Sequence, residues 1–87
     1  MQIRFDDKTL QGVYANAVQV QFNKEEFVLD FMNTFPPMAT LNARIILSPA
    51  HVKRLRNVLE DLVKKYEGSF GAVEAASEPT EIGFQPK

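Results

Sequence analysis

Hydrophobic and polar residues alternate with a period of two over residues 12–22. Tyr14, Asn16, Val18, Val20 and Phe22 fall on one side, and Val13, Ala15, Ala17, Gln19 and Gln21 on the other. That period marks a strand whose successive side chains face opposite ways. The polar break Asn23-Lys24-Glu25-Glu26 has the length of a hairpin connection. Alternation then resumes, with Phe27, Leu29, Phe31 and Phe35 opposite Val28, Asp30, Met32 and Thr34. Pro36-Pro37 ends this run, because neither proline can donate to a ladder. A third run sets Leu41, Ala43, Ile45 and Leu47 inward against Thr40, Asn42, Arg44 and Ile46. Three successive strands with short connections predict an antiparallel meander. Residues 2–5 are expected to add a short strand, giving three or four in all, with Asp6, Asp7 and Lys8 as a polar link.

The period changes at Ser48. Its hydroxyl suits an N-cap, and Pro49 suits the first helical position, where a missing N–H costs nothing. From residue 49 to about residue 67, Val52, Leu55, Leu59, Leu62 and Tyr66 recur at three-and-four spacing, widened by Val58 and Val63 into a core-facing stripe. Lys53, Arg54, Arg56, Asn57, Glu60, Asp61, Lys64 and Lys65 occupy the remainder. Glu60–Lys64 and Asp61–Lys65 are favourable (i, i+4) pairs, and Gly68 is the expected left-handed residue after the helix. The predicted class is therefore α+β: an antiparallel three- to four-stranded meander followed by one long C-terminal amphipathic helix packed across it. Residues 1–71 form the single domain. Residues 72–87, acidic and poor in large apolar groups, read as a flexible tail. Ile82-Gly83-Phe84 is its one hydrophobic interruption, a candidate for strand addition to a neighbour, although a plain disordered end is the favoured reading.

Composition sharpens this picture at one point. A chain of 87 residues builds a marginal core and commonly needs disulfides, a metal or self-association to hold it. There is no cysteine, and the single histidine, His51, cannot anchor a zinc cage within one chain. Self-association is the remaining compensation, so a dimer or tetramer assembling through the sheet is expected. The face bearing Val13, Ala15, Ala17, Val28, Met32 and Ile46, small and mixed with polar residues, is the candidate interface. An open edge strand also invites pairing. Another protein is a further candidate partner.

A net charge of −1 supplies no long-range field toward nucleic acid or anionic lipid. No apolar run approaches the roughly 18 residues of a membrane span, and no signal-peptide core is visible at the N-terminus. A cytoplasmic location without membrane contact is the expectation.

The chemistry is sparse. The four glycines form no phosphate loop. Ser48 has no activating histidine, since His51, three residues on at the third helical position, is expected to face solvent or the cap. Asp6-Asp7, Glu25-Glu26 and Glu60-Asp61 are sequence neighbours whose side chains point apart, so no shared catalytic proton follows. No enzyme, cofactor or metal site is expected. Asn16 and Asn33 stand at polar positions on apolar faces and fit strand ends, bulges or contacts. Lys53, Arg54 and Arg56 are candidate nucleic-acid contacts, and a single-stranded nucleic-acid-binding module using the sheet and the basic helix face is the alternative function. The leading expectation is a non-catalytic, homo-oligomeric protein-binding or scaffold module.

The runs Gly12-Val13-Tyr14-Ala15-Asn16, Glu26-Phe27-Val28-Leu29-Asp30-Phe31 and Arg44-Ile45-Ile46-Leu47-Ser48-Pro49-Ala50-His51-Val52-Lys53-Arg54-Leu55, with the ending Lys65-Tyr66-Glu67-Gly68-Ser69-Phe70-Gly71, resemble the small bacterial domain-of-unknown-function family 3467. The resemblance spans residues 12–74. Ala15 and Ala50 stand where the family pattern reads serine and glutamate. An acid at position 50 would favour the helix dipole by up to about 1 kcal/mol, which Ala50 forgoes. The resemblance implies a bacterial, cytoplasmic, single-domain protein and carries no site residues. The element order is also similar to that of SecB-type export chaperones, which implies a chaperone-like holding role at the level of fold analogy alone.

Overall fold

The computed structural model describes residues 1–77. Three strands, β1 (Ala17–Phe22), β2 (Phe27–Asn33) and β3 (Thr40–Leu47), form an antiparallel sheet in the order β1-β2-β3. Both connections are hairpin-like, as the alternation predicts. At the first, the side-chain oxygen of Asn23 accepts from the Glu25 and Glu26 backbone N–H groups at 2.8 and 3.0 Å, and its own N–H donates to the Glu26 carbonyl. A short polar side chain that binds the backbone two residues on is what makes asparagine a turn former.

The N-terminal segment differs from the expectation. Residues 2–5 form no strand, and the supposed polar link is a one-turn helix, α1 (Asp7–Gln11). Asp6 caps it, accepting from the Thr9 N–H at 2.7 Å, and hydrogen bonding from the Thr9 side chain and backbone holds the Asp6 carboxyl below its ordinary pKa. Gly12, at φ 79°, closes it. Regular β1 therefore starts at Ala17, well after residue 12. Asn42 Nδ2 donates to the Tyr14 carbonyl at 2.8 Å, and the Tyr14 ring stacks on Phe35. These ties draw residues 12–16 away from the line of β1.

The register differs at one place. Phe31 faces Ala43, but Met32 faces Leu41, so Asn42 is an extra residue in β3. A bulge of this kind moves every residue beyond it to the other face. Leu41 consequently joins the Met32 face instead of the face of Ala43, Ile45 and Leu47.

Ser48 is the whole connection between β3 and α2 (Pro49–Phe70). Its hydroxyl accepts from the His51 N–H at 3.3 Å, with Pro49 at the start of the helix, as the sequence indicates. The helix continues through Gly68 rather than stopping there. Phe70 reaches the Tyr66 ring one turn back, with centroids 5.0 Å apart, and Gly71 at φ 99° caps the end through its N–H to the Glu67 carbonyl. An interior glycine costs about 1 kcal/mol relative to alanine, which the ring contact and an added turn of hydrogen bonds offset. Of the two anticipated ion pairs on this helix, Lys64–Glu60 closes to 3.5 Å; Asp61–Lys65 does not close.

The helix does not cover the sheet. None of its 22 residues is buried, and all but Val52 and Glu67 are exposed. Burial is concentrated in β2, the strand flanked on both sides, where no residue is exposed. The buried set among the described residues is only Ala17, Leu29, Met32 and the charged Asp30. The motif Ile82-Gly83-Phe84 lies outside the described residues.

Candidate interaction surface

The register sorts the sheet into two unlike faces. On one, three rows are apolar throughout: Val18–Phe31–Ala43, Val20–Leu29–Ile45 and Phe22–Phe27–Leu47. Leu29, at the centre, is buried by its neighbours. Its row mates Val20 and Ile45 are 50% and 44% exposed, and Phe22 at the corner is 76% exposed although its ring stacks on Phe27. These are β-branched and aromatic residues of the kind a sheet presents to a second layer. No second layer stands there.

The other face is interrupted. Its middle row, Gln19–Asp30–Arg44, is polar. Asp30 is 1% exposed and is bound at both carboxylate oxygens by Arg44, Nε at 2.7 Å and Nη2 at 3.0 Å. The fork-to-carboxylate hydrogen bonds of Arg44 hold the Asp30 carboxyl below its usual range despite the opposing effect of desolvation, and Asp30 raises the Arg44 pKa in return. Beside this pair the Gln19 side-chain oxygen is buried with no hydrogen-bond partner among the described residues. Ala17 and Met32 lie buried to one side of the polar row, and Val28 and Ile46 pair on the other. Thus four of the interface candidates share this face, split by an ion pair; Val13 and Ala15 precede β1.

The helix stripe is a second uncovered surface. Leu55, Val58, Leu59, Leu62, Val63 and Tyr66 are all exposed. The spacing 52, 55, 59, 62, 66 is that of a seam meant to face another element. The ten exposed apolar side chains of the two surfaces are Val18, Val20, Phe22 and Ile45 on the sheet and those six on the helix, about half exposed on average.

The polar candidates do not converge. Successive helical residues step by about 100°, so Arg54 and Arg56 fall on different flanks of the stripe, with Lys53 behind it. Arg56 donates to the neighbouring Asn57 side chain. His51 is exposed at the third helical position, and its backbone, not its ring, serves the cap. Asn16 fastens the sheet end, its oxygen accepting from the Thr34 N–H at 2.9 Å and hydroxyl at 3.1 Å, and Asn33 accepts from the Phe35 N–H. Two surface hollows, one beside Tyr14, Asn16 and Val18, the other beside Lys8, Val13 and Asn42, gather no carboxylate or imidazole. Among the described residues no three of His, Cys, Asp and Glu stand close enough to hold a metal, and no helix is long and apolar enough to cross a membrane.

The alternation that predicts a helix packed across the sheet puts Val20, Phe22 and Ile45 beneath it, and in the structure all three are exposed. Alternation marks a face for covering without identifying the covering element. No curated protein and no solved structure matches the chain, and no finding supports a likeness to SecB-type chaperones. One family model does match, over residues 1–75, which spans the sheet, the helix and the interrupted face together. The chain belongs to that family, described as a protein of unknown function, DUF3467.

Proposed function

We propose that this protein is a non-catalytic, homo-oligomeric binding or scaffold module acting through protein–protein contacts. The observation that carries this reading is the pair of uncovered apolar surfaces, the three-row sheet face and the helix stripe, while the buried apolar set among the described residues is Ala17, Leu29 and Met32. Full burial of a Val, Leu, Ile or Phe side chain stabilises by about 1.5–3 kcal/mol, and a chain that leaves most such groups in water forgoes that stabilisation until another surface arrives. Contiguous apolar patches of this size on soluble proteins mark interaction sites.

Native mass spectrometry of the protein purified from its own host tests the reading. A homo-oligomer, alone or carrying a second protein, supports it. A folded monomer at micromolar concentration overturns it. A homo-oligomer that instead retains nucleic acid, with affinity falling steeply in salt and weakened by Arg54→Ala or Arg56→Ala, would replace it with the single-strand-binding alternative.

A further inference from the structure

We infer that two copies of this chain exchange helices, the α2 stripe of each lying across the three-row apolar sheet face of the other. The inference rests on the self-association reading above and specifies which surfaces meet.

Three observations lead to it. First, each copy leaves two apolar surfaces open, and they differ in kind. Pairing α2 with α2 would leave both sheet faces wet, and stacking sheet on sheet would leave both stripes wet. Helix on sheet, repeated by a two-fold axis, covers all four surfaces with one type of contact and closes the assembly. Second, the shapes agree. The stripe from Val52 to Tyr66 runs about 21 Å along the helix. The apolar rows extend about 13 Å along the strands and about 10 Å across them. A helix with its side chains is about 10–12 Å wide, enough to roof three strands. Third, the area agrees. The ten half-exposed apolar side chains of the two surfaces offer roughly 900 Å² per copy, which over two copies reaches the 1,200–2,000 Å² of a specific, stable interface.

The connection explains why each helix looks outward. Ser48 is the only residue between Leu47 and Pro49, and it is held extended at φ −67° and ψ 156° by its own cap bond and the following proline. A one-residue joint fixed at both ends gives α2 a set direction instead of letting it settle on whatever surface is nearest. In the exchanged dimer the faces carrying Asp30–Arg44 turn outward, away from the helix–sheet contact.

Cysteine cross-linking tests the arrangement, since the chain has no cysteine of its own. Leu59→Cys and Val20→Cys are made singly in the full chain, one with a size tag, then co-refolded and oxidised. The expected result is a cross-linked heterodimer at least ten-fold more abundant than the product of either variant alone. Ile45→Cys should substitute for Val20→Cys, and Lys53→Cys, behind the stripe, should not substitute for Leu59→Cys. Leu59→Cys coupling to itself would mean helix pairing, and Val20→Cys coupling to itself would mean stacked sheets; either overturns the exchange. Absence of any cross-link while sedimentation of the unaltered chain still gives a dimer also overturns it and leaves self-association standing. A folded monomer in that sedimentation run removes both.

Discussion

The two faces of the sheet use the same strands and expose about as many side chains each, yet the fully buried residues lie almost all on one of them. The face of Gln19, Asp30 and Arg44 contains three of the four buried residues, Ala17, Asp30 and Met32. The face of Val20, Leu29 and Ile45 contains one. Hydrophobicity alone would order them the other way. The interrupted face buries Asp30 because an arginine fork satisfies its carboxylate, so a charged group is desolvated at little cost by its own sheet neighbour. On the apolar face aliphatic and aromatic groups have no such partner within the layer, and a second layer is what excludes water from groups of that kind.

That contrast is most easily broken from the apolar side. Leu59→Glu together with Leu62→Glu places two charges on the helix stripe and should weaken self-association by at least 100-fold, read as a shift from oligomer to monomer in sedimentation. If helix exchange holds the fold together, helical circular dichroism should fall with it. The interrupted side should respond less to single changes, but with a pH signature. The Arg44 fork holds the Asp30 carboxyl below its ordinary value in the folded chain. The folded state therefore gains stability from it above about pH 4, the unfolded value, and loses that gain as pH falls through the folded value. Asp30→Asn should lower stability at pH 7 and flatten the acid limb of the unfolding curve below pH 4.

Smaller effects sharpen the same comparison. Asn23→Ala removes the acceptor for two backbone N–H groups at the β1–β2 turn and should cost about 1 kcal/mol in denaturant unfolding. Ser48→Ala loses a long cap bond and should cost about 0.5–1 kcal/mol. Gln19→Met replaces a buried oxygen lacking a partner among the described residues, and should raise the melting temperature, equivalent to about 1 kcal/mol.

Most of the architecture was legible because it rests on local signals. Period two found the three strands, and Ser48-Pro49 fixed the helix start to the residue. The misses have physical causes of equal clarity. Asp6 capping Thr9 is a helix signal in a stretch too short for periodicity to register. The extra residue at Asn42 is invisible in sequence, because alternation continues smoothly on either side of a bulge, and it alone moved Leu41 across the sheet. Gly68 resembled a stop until Phe70 met Tyr66 beyond it. The largest difference concerned what α2 covers. A stripe at helical spacing states that a face wants an apolar neighbour, and the all-apolar rows of the sheet state the same. Neither pattern says whether that neighbour belongs to the same chain.

Whether the folded unit contains more than one copy is read from the thermal unfolding midpoint, followed by circular dichroism from 1 to 100 μM alongside sedimentation equilibrium at the same concentrations. Self-association makes the midpoint climb with concentration and gives an associated mass at the top of the range, because association stabilises the native state by mass action. A midpoint independent of concentration, with a monomer mass throughout, would contradict it.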